Sequence, residues 1–248
     1  MDLMLEGKTA VVTGGLGGLG LAIARGFSAE GATPVVIDIH PAEKALAALK
    51  GLKQYHYLEA DLSRGEQVER LVDLAADRAG PVDILVNCAA VWPTHLVVDT
   101  SLSEWEKTLA VDLTAPFLLC RDFVRQCLDH KAAGVILNVV SQAAFGGATS
   151  GHADYAAGKA ALVNLTRSLA HEVAAHGIRV NAIAPGMMKT HMSAEVLRQR
   201  QDQYLQRIPL GRIAAPAEVA DVAVFLCSPR AGYMTGATVD VSGGMLMH

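Results

Sequence analysis

A glycine-rich turn near the start of the chain places the strongest limit on its fold. A short apolar run from Lys8 to Thr13 leads into glycines that continue to Gly20. Apolar residues then recur at helical spacing, at Leu21, Ile23, Ala24 and Phe27. Glycines at such a junction permit tight backbone geometry and let a diphosphate approach the helix N-terminus, where free N–H groups and the dipole favour negative charge. Glycines also end strands for purely structural reasons, but the position at the first strand-to-helix junction favours a nucleotide-binding turn.

The alternation of strand and helix continues along the whole chain. We predict further strands at 34–37, 55–58, 82–86, 134–140, 178–183 and 237–241. No repeat or low-complexity linker interrupts this pattern, which is typical of a parallel sheet with helices on both faces. Because 51% of the 248 residues are hydrophobic, the chain can bury a large core, and one α/β domain spanning residues 1–248 is expected.

Several helix boundaries can be predicted from local patterns. Two Ser-x-x-Glu patterns predict capping boxes, one starting at Ser63 and one at Ser103. Pro116, inside the second of these helices, should remove one backbone hydrogen bond and can bend it. The segment 191–207 is predicted to be a polar helix with few apolar anchors, which is typical of a mobile lid.

Composition excludes several classes of partner. The net charge is −4 and no long basic run occurs, which argues against nucleic acid or an anionic membrane as the main partner. The four cysteines show no metal-ligand spacing, so we expect free buried thiols, no metal site and a reducing compartment. They are Cys88, Cys120, Cys127 and Cys227. The N-terminus lacks a basic and apolar leader, and no stretch approaches twenty apolar residues, so a cytoplasmic protein is predicted.

Asp38 indicates which dinucleotide the predicted turn would hold. It ends the second predicted strand, 24 residues after Gly14. In a dinucleotide fold an acid at this position hydrogen-bonds the adenosine ribose diol and repels the extra phosphate of NADP. Gly17 also leaves no positive charge for that phosphate. The pattern therefore favours NAD, although Asp38 could be a solvated acid at a strand end.

Tyr155 and Lys159 can be interpreted as a proton-transfer pair. Residues four apart share one face of a helix, so the phenol and the ammonium reach the same space. A nearby positive charge favours the phenolate, and lowering a tyrosine pKa by about three units takes roughly 4 kcal/mol. One lysine is insufficient for this, so an oxidised nicotinamide would help. The same spacing occurs by chance on many surface helices, so the interpretation depends on Ser141 upstream and the Pro185-Gly186 loop downstream.

Five motifs occur together in one order. They are Thr13-Gly14…Gly18…Gly20, Asn87, Ser141, Tyr155 with Lys159, and Pro185-Gly186…Thr190. In this order they closely resemble the short-chain dehydrogenase/reductase family, over nearly the whole chain. The resemblance implies a Rossmann-type doubly wound fold with a seven-stranded parallel sheet, hydride transfer between a nicotinamide and an alcohol or carbonyl, no metal, and a homotetramer.

The resemblance also implies roles for individual residues. Tyr155 would be the general acid/base, Ser141 the hydroxyl that holds the substrate oxygen, and Lys159 the group that lowers the Tyr155 pKa and binds the nicotinamide ribose. The implied cofactor-binding set is Gly14, Gly17, Gly18, Leu19, Asp38, Ile39, Asp61, Leu62, Asn87, Ala89, Tyr155, Lys159, Pro185, Gly186, Met188 and Thr190. Within it Asp61 would border the adenine, but it could equally be a turn residue.

Three positions depart from the family pattern. Asp112 stands where the family usually has asparagine, whose backbone carbonyl holds a water of the lysine's proton relay; Asp112 is kept as a candidate catalytic residue. Its charge near Lys159 could raise the Tyr155 pKa. Ser141 lies 14 residues before Tyr155, one more than usual, so Gln142 is the alternative. Cys88 and Ala90 alter the motif that begins at Asn87.

The candidate substrate pocket is apolar with histidines at its edge. Besides Ser141 and Tyr155 we assign Trp92, His152 and Met187 to it, and the wider candidates are His95, Ala143, Phe145, His191, Met192 and residues 245–248. The mixture favours a small to medium aromatic or alicyclic alcohol and its ketone, because a sugar would need more fixed polar groups. The alternatives are a 3-oxoacyl-carrier-protein reductase, a sugar or polyol dehydrogenase, and a non-enzymatic NAD sensor.

Overall fold

Seven parallel strands form one sheet in the computed structural model, which describes residues 1–147 and 151–247. Their order across the sheet is β3-β2-β1-β4-β5-β6-β7. The strands are β1 (Thr9–Thr13), β2 (Thr33–Asp38), β3 (His56–Glu59), β4 (Ile84–Asn87), β5 (Gly134–Val139), β6 (Ile178–Pro185) and β7 (Thr238–Val241). The order reverses between β1 and β4, as in a doubly wound Rossmann-type sheet. The predicted fold class is confirmed.

Helices connect the strands and cover both faces of the sheet. In the described residues the α-helices are α1 (Gly18–Ala29), α2 (Ala42–Ala48), α3 (Gly65–Val68), α4 (Leu71–Ala79), α5 (Leu102–Leu109), α6 (Ala115–Asp129), α7 (Ala143–Gly146), α8 (Ala153–Val173), α9 (Ala194–Arg207) and α10 (Pro216–Cys227). A π-helical turn, Ala110–Thr114, joins α5 to α6.

The side chains of β1 show how the core is divided. Val11 belongs to one apolar cluster with Phe123 of α6, and Val12 belongs to another with Phe27 of α1 and Val219 of α10. Successive residues of a strand point to opposite faces, so each strand contributes to both clusters. Because both faces are covered, the central strands are nearly continuous apolar runs.

The two predicted capping boxes are both wrong. At α5 the box is formed by Ser101 and Glu104, two residues before the predicted pair: Ser101 Oγ accepts the Glu104 N–H at 3.3 Å, and the Glu104 carboxylate accepts the Ser101 N–H at 2.9 Å. Ser63 caps no helix, because its N–H and hydroxyl both donate to Asp61 Oδ1, at 2.9 and 2.7 Å. Short polar side chains often bind nearby backbone and side-chain groups in this way instead of capping.

The long helix predicted around Asp112 is interrupted. The π-helical turn contains Asp112, and Pro116 lies in the first turn of α6. Since proline has no N–H, the carbonyl of Asp112 lacks the donor that an α-helix would supply four residues on. The hydrogen bond that Pro116 was predicted to remove is therefore the one to the carbonyl of Asp112. π-Helical turns are often found at functional sites.

The four cysteines form no disulfide, as predicted. Cys120, Cys127 and Cys227 are buried, whereas Cys88 is only partly buried. Among residues 1–147 and 151–247, no helix is long and apolar enough to span a membrane. The same residues contain no group of three metal-ligating side chains.

We expect Ser101→Ala to lower the free energy of unfolding by about 1 kcal/mol, because the N–H of Glu104 loses its capping oxygen. Ser103→Ala is the matched control, since Ser103 lies inside α5 and caps nothing. Urea unfolding followed by circular dichroism measures both. Equal destabilisation of the two variants would contradict the observed register of the helix start.

Candidate active site

The predicted site residues meet at the carboxyl ends of the central strands. Thr13, Asn87, Ser141 and Pro185 end or directly follow β1, β4, β5 and β6. The strand order reverses between β1 and β4, which opens a crevice at this edge of the sheet. The crevice therefore collects residues that are far apart in the chain.

The glycine turn forms a narrow cradle at the start of α1. Gly14 has a positive φ of 62°, and a Cβ on it would lie 2.7 Å from Ala89 Cα. A Cβ on Gly18 would lie 2.7 Å from Thr190 Cγ2. The first N–H groups of α1 have no intrahelical partner and point towards this space. The cradle fits the diphosphate of a dinucleotide, because only glycine leaves room for its close approach.

Asp38 lies beside this turn and is almost fully buried, with 8% exposure. Its Oδ2 accepts the Leu16 N–H at 3.0 Å, and its Oδ1 lies 2.6 Å from Nδ1 of His40. Ile39 is exposed between the two. The sequence analysis missed His40, although an ionisable side chain two residues after the strand-end acid was the available signal.

The sequence left two possible roles for Asp61, and the turn role is observed. The carboxylate accepts the N–H and hydroxyl of Ser63, and these bonds hold the pKa of Asp61 below its usual value. Leu62 next to it is buried.

Asn87 takes part in a buried polar chain under the crevice. Its Nδ2 donates to Asn138 Oδ1 at 2.8 Å, and Asn138 Nδ2 donates to Thr166 Oγ1 at 2.9 Å. The chain links β4, β5 and α8. Ala89 N–H donates to Thr13 Oγ1 at 3.1 Å, which holds the residue after β4 against the glycine turn.

Ser141, Tyr155 and Lys159 meet where β5 ends and α8 begins. The Ser141 hydroxyl lies beside the Tyr155 phenol, where it favours the phenolate. Lys159 Nζ lies 5.6 Å from the centroid of the Tyr155 ring. The backbone N–H of Gln142, the alternative partner, donates to Pro185 O at 3.1 Å. The position of Ser141 beside Tyr155 supports the alignment through Ser141.

Asp112 reaches the same cluster from the π-helical turn. It is fully buried; its Oδ1 accepts the Val91 N–H at 2.9 Å and its Oδ2 lies 3.5 Å from Lys159 Nζ. A Cβ on Gly158 would lie 3.4 Å from Asp112 Cβ, so Gly158 lets α8 approach the turn closely. The aspartate side chain therefore contacts the lysine directly.

Burial dominates the electrostatics of this cluster. Burial raises the pKa of Tyr155; Lys159 and the Ser141 hydrogen bond oppose that shift, and the Asp112 charge adds to it. Burial disfavours charge on Lys159, but Asp112 and Tyr155 outweigh it and raise the pKa of Lys159. Burial also raises the pKa of Asp112. Lys159 acts in the predicted direction but does not outweigh burial, as expected of one lysine.

Asp154 is a positioning residue that the sequence analysis missed. It is buried in the first turn of α8, where it accepts the Thr108 hydroxyl and the Tyr155 N–H, each at 2.8 Å. These bonds fix the start of α8 against α5 and so orient Tyr155. An acid directly before the tyrosine, at a helix start, was the signal that pointed to it.

Two of the proposed pocket residues stack on each other. The rings of Trp92 and His152 are 4.4 Å apart and 18° from parallel. His152 has a positive φ of 80°, its Nδ1 bonds the Pro93 carbonyl, and burial lowers its pKa. The carbonyl accepts the Nδ1 proton, so Nε2 remains an acceptor.

Met187 packs in a small apolar cluster under α9 that also contains Leu197, Ile208, Ile213 and Met245. The predicted lid is helical from Ala194 and departs from helical geometry at Arg200. Of the wider candidates, His95 lies 3.3 Å from the Glu104 carboxylate, Met192 is half exposed, and His248 lies outside the described residues.

The loop after β6 is held by its own hydrogen bonds. Thr190 Oγ1 lies 3.1 Å from Ser193 Oγ, which also donates to the Met188 carbonyl. A Cβ on Gly186 would lie 2.8 Å from Ser242 Cα, so glycine allows this loop to pass close to the C-terminal segment. Thr190 is thereby placed over Gly18.

Comparison with known proteins identifies relatives along the whole chain. A family model described as enoyl-(acyl carrier protein) reductase matches residues 14–246. The chain is 37% identical to the 3-oxoacyl-(acyl-carrier-protein) reductase FabG of Aquifex aeolicus, over 99% of this chain and 100% of that one. It is 40% identical to 3beta-hydroxysteroid dehydrogenase 1 of Eggerthella lenta, over 98% of this chain and 95% of that one.

Solved structures agree with the fold. A short-chain dehydrogenase/reductase from Brucella melitensis, described as a glucose/ribitol dehydrogenase, superimposes with a TM-score of 0.92 at 35% identity, over 100% of both chains. A putative 2-deoxy-D-gluconate 3-dehydrogenase from Agrobacterium tumefaciens with bound NADP gives 0.90 at 34% identity, over 98% of both chains.

We expect Asp112→Asn to shift ionisation of Tyr155 to lower pH, because the variant removes a buried negative charge that disfavours the phenolate. Tyrosinate absorbance at alkaline pH measures this when the Tyr155→Phe titration is subtracted. An unchanged or higher titration midpoint would show instead that Asp112 acts mainly by keeping Lys159 charged.

Proposed function

The chain belongs to the short-chain dehydrogenase/reductase family of oxidoreductases, and on this premise we propose that it interconverts a secondary alcohol and its ketone with NAD. We propose that residues 1–248 act as one catalytic domain. The observation that carries the proposal is the meeting of Ser141, Tyr155 and Lys159 beside the glycine cradle. A protein that only binds NAD has no physical need for this arrangement.

The nicotinamide, when bound, supplies the hydride acceptor or donor. Tyr155 holds the proton at its phenol oxygen and transfers it to or from the substrate oxygen. Ser141 adds a second hydrogen bond to that oxygen, and two such bonds stabilise the alkoxide character that develops in the transition state. Lys159 favours the phenolate, and the family resemblance gives it the nicotinamide ribose as a further partner.

The electrostatics favour reduction near neutral pH. With its pKa raised, Tyr155 is a neutral phenol and can donate a proton to a ketone oxygen. Alcohol oxidation needs the phenolate, so its rate should rise with pH as Tyr155 ionises. A positive nicotinamide close to Tyr155 would lower this barrier to oxidation.

Asp38 supports NAD as the preferred cofactor. Its buried carboxylate ends β2 beside the turn, where an acid hydrogen-bonds a ribose diol and repels a phosphate. The NADP in the Agrobacterium tumefaciens structure belongs to that protein. No lysine or arginine in residues 1–147 and 151–247 forms an ion pair with Asp38.

We propose a small to medium aromatic or alicyclic alcohol as the substrate class. The Trp92–His152 stack offers a flat apolar wall with one acceptor nitrogen, and Trp92 is partly exposed. The hydroxysteroid dehydrogenase relative acts on a polycyclic alcohol, as its name states. Such a wall suits a ring better than a polyol.

Reduction of a 3-oxoacyl thioester on a carrier protein is the second candidate. The Aquifex aeolicus relative and the neutral Tyr155 phenol both favour it. The two candidate substrate classes are distinguished by comparing the rate of reduction of acetoacetyl thioesters with that of cyclic ketones. Faster turnover of the thioester would select this candidate.

We also propose a homotetramer. Trp105 of α5 and Phe117 of α6 are 38% and 45% exposed, and exposed aromatic side chains are enriched at interfaces. β7 is an edge strand, and edges of this kind are usually covered.

NAD should support oxidation of cyclic secondary alcohols, and Tyr155→Phe should lower the rate by about 10² to 10⁴, because it removes the proton carrier. The rate with NAD and with NADP is measured from the absorbance of the reduced nicotinamide over time. If Tyr155→Phe were as active as the wild-type protein, Tyr155 would not be the proton carrier.

Ser141→Ala should lower kcat by about 10² to 10³ through loss of one hydrogen bond to the developing charge. Gln142→Ala is the matched control and should stay near the wild-type rate. If Gln142→Ala loses turnover and Ser141→Ala does not, the substrate-holding position is residue 142 and the alignment through Ser141 is wrong.

Light scattering should give a mass about four times the 26.1 kDa of one chain. Phe117→Glu should lower that mass, because an unpaired charge in the subunit interface disfavours assembly. Leu46→Glu on α2 is the control and should leave the mass unchanged. A monomer for the wild-type protein would contradict the proposed tetramer.

A further inference from the structure

We propose that His40 is a specificity-determining residue for the cofactor: its neutral imidazole leaves Asp38 to exclude NADP, and its charged imidazole neutralises Asp38 and admits NADP. The proposal rests on the proposed binding of a nicotinamide dinucleotide at the glycine turn. It goes further by making the choice between NAD and NADP depend on the charge of one side chain.

The geometry makes Asp38 and His40 a coupled pair. Asp38 Oδ1 lies 2.6 Å from His40 Nδ1 and accepts the His40 N–H at 3.3 Å. The other oxygen, Oδ2, accepts the Leu16 N–H of the glycine turn at 3.0 Å. A carboxylate has about four acceptor positions, so these three bonds leave room for a ribose hydroxyl.

The pair is buried on one side and open on the other. Asp38 is 8% exposed and the His40 side chain is 42% exposed, so the imidazole borders water while it stays on the carboxylate. The Tyr57 hydroxyl donates to the carbonyl oxygens of both residues and so fixes the backbone between them. This support holds the backbone that carries the imidazole and the carboxylate.

The remaining charged groups nearby are of both signs. Burial, then the charges of Asp38 and Glu59, raise the pKa of Tyr57 to about 12. The first turn of α2 carries Glu43 and Lys44, and Arg25 of α1 donates to the Ala48 carbonyl. In the described residues His40 is the one basic side chain within ion-pair distance of Asp38. The charge of this imidazole therefore decides the net charge of the pair.

The two charge states give different selectivity. Histidine is the side chain whose charge ordinarily changes between about pH 5 and 8. With a neutral imidazole the pair carries −1 and repels the extra phosphate of NADP. With a charged imidazole the pair is neutral, and the imidazolium can itself bind the phosphate oxygens. NAD lacks that phosphate, so its affinity depends much less on this charge.

The test is to measure the Kd of NAD and of NADP by isothermal titration at about pH 6 and about pH 8. In the wild-type protein the preference for NAD should fall by about tenfold on going to the lower pH. In His40→Gln most of this change should disappear. The remainder is the contribution of the phosphate, whose own second pKa is about 6.

His130→Gln is the matched control, because His130 lies at the end of α6 and its ring bonds Gln126. It should keep the wild-type change with pH. Asp38→Asn removes the negative charge itself and should raise the affinity for NADP at about pH 8. Circular dichroism and an unchanged urea unfolding midpoint for His40→Gln show that the variant is folded.

Two results would overturn the proposal. Selectivity that does not change with pH in the wild-type protein, or that changes equally in His40→Gln, would show that His40 does not set it while leaving the proposed function intact. If the wild-type protein bound neither dinucleotide, the proposed function and this inference would both fail.

Discussion

The contact between the Lys159 ammonium and the Asp112 carboxylate is the interaction on which the site depends. A buried ammonium without a counter-charge loses several kcal/mol of hydration, so it is held charged only beside an anion. Asp112 supplies that anion from a π-helical turn, at 3.5 Å. Gly158 allows the close approach of α8 to this turn, and Pro116 removes a backbone donor next to it. Three local features of the chain thus act together on one pair of charges.

The same pair sets the state of Tyr155. Lys159 favours the phenolate, but burial and the Asp112 charge oppose it, so the phenol stays neutral. An asparagine in place of Asp112 would leave Lys159 as the main charge near the tyrosine. Since Coulomb energies in a buried site are several times those in water, this one substitution can decide which direction of reaction is fast near neutral pH. The chain thereby differs from the family pattern in its electrostatics while keeping its geometry.

The adenosine end of the crevice follows the same physical rule. Asp38 is buried at the end of β2 and its Oδ1 lies 2.6 Å from His40 Nδ1, just as Asp112 Oδ2 lies 3.5 Å from Lys159 Nζ. Each end of the cofactor crevice therefore contains an acid in contact with an ionisable base. The sheet makes this possible because strand ends place side chains from distant segments within a few ångströms of each other.

Much of the fold and part of the site could be predicted from the residues alone. The strand and helix alternation, the glycine turn, Asp38, and the spacing of Tyr155 and Lys159 are local or periodic features, which the backbone repeats of 2.0 and 3.6 residues translate directly into structure. Only the tertiary structure decided that Ser141 lies beside Tyr155, that Asp154 anchors α8, and that His40 contacts Asp38. It also decided the direction of the Tyr155 pKa. The physical reason is that burial and charge–charge distances are properties of packing between segments, and no spacing along one helix contains them.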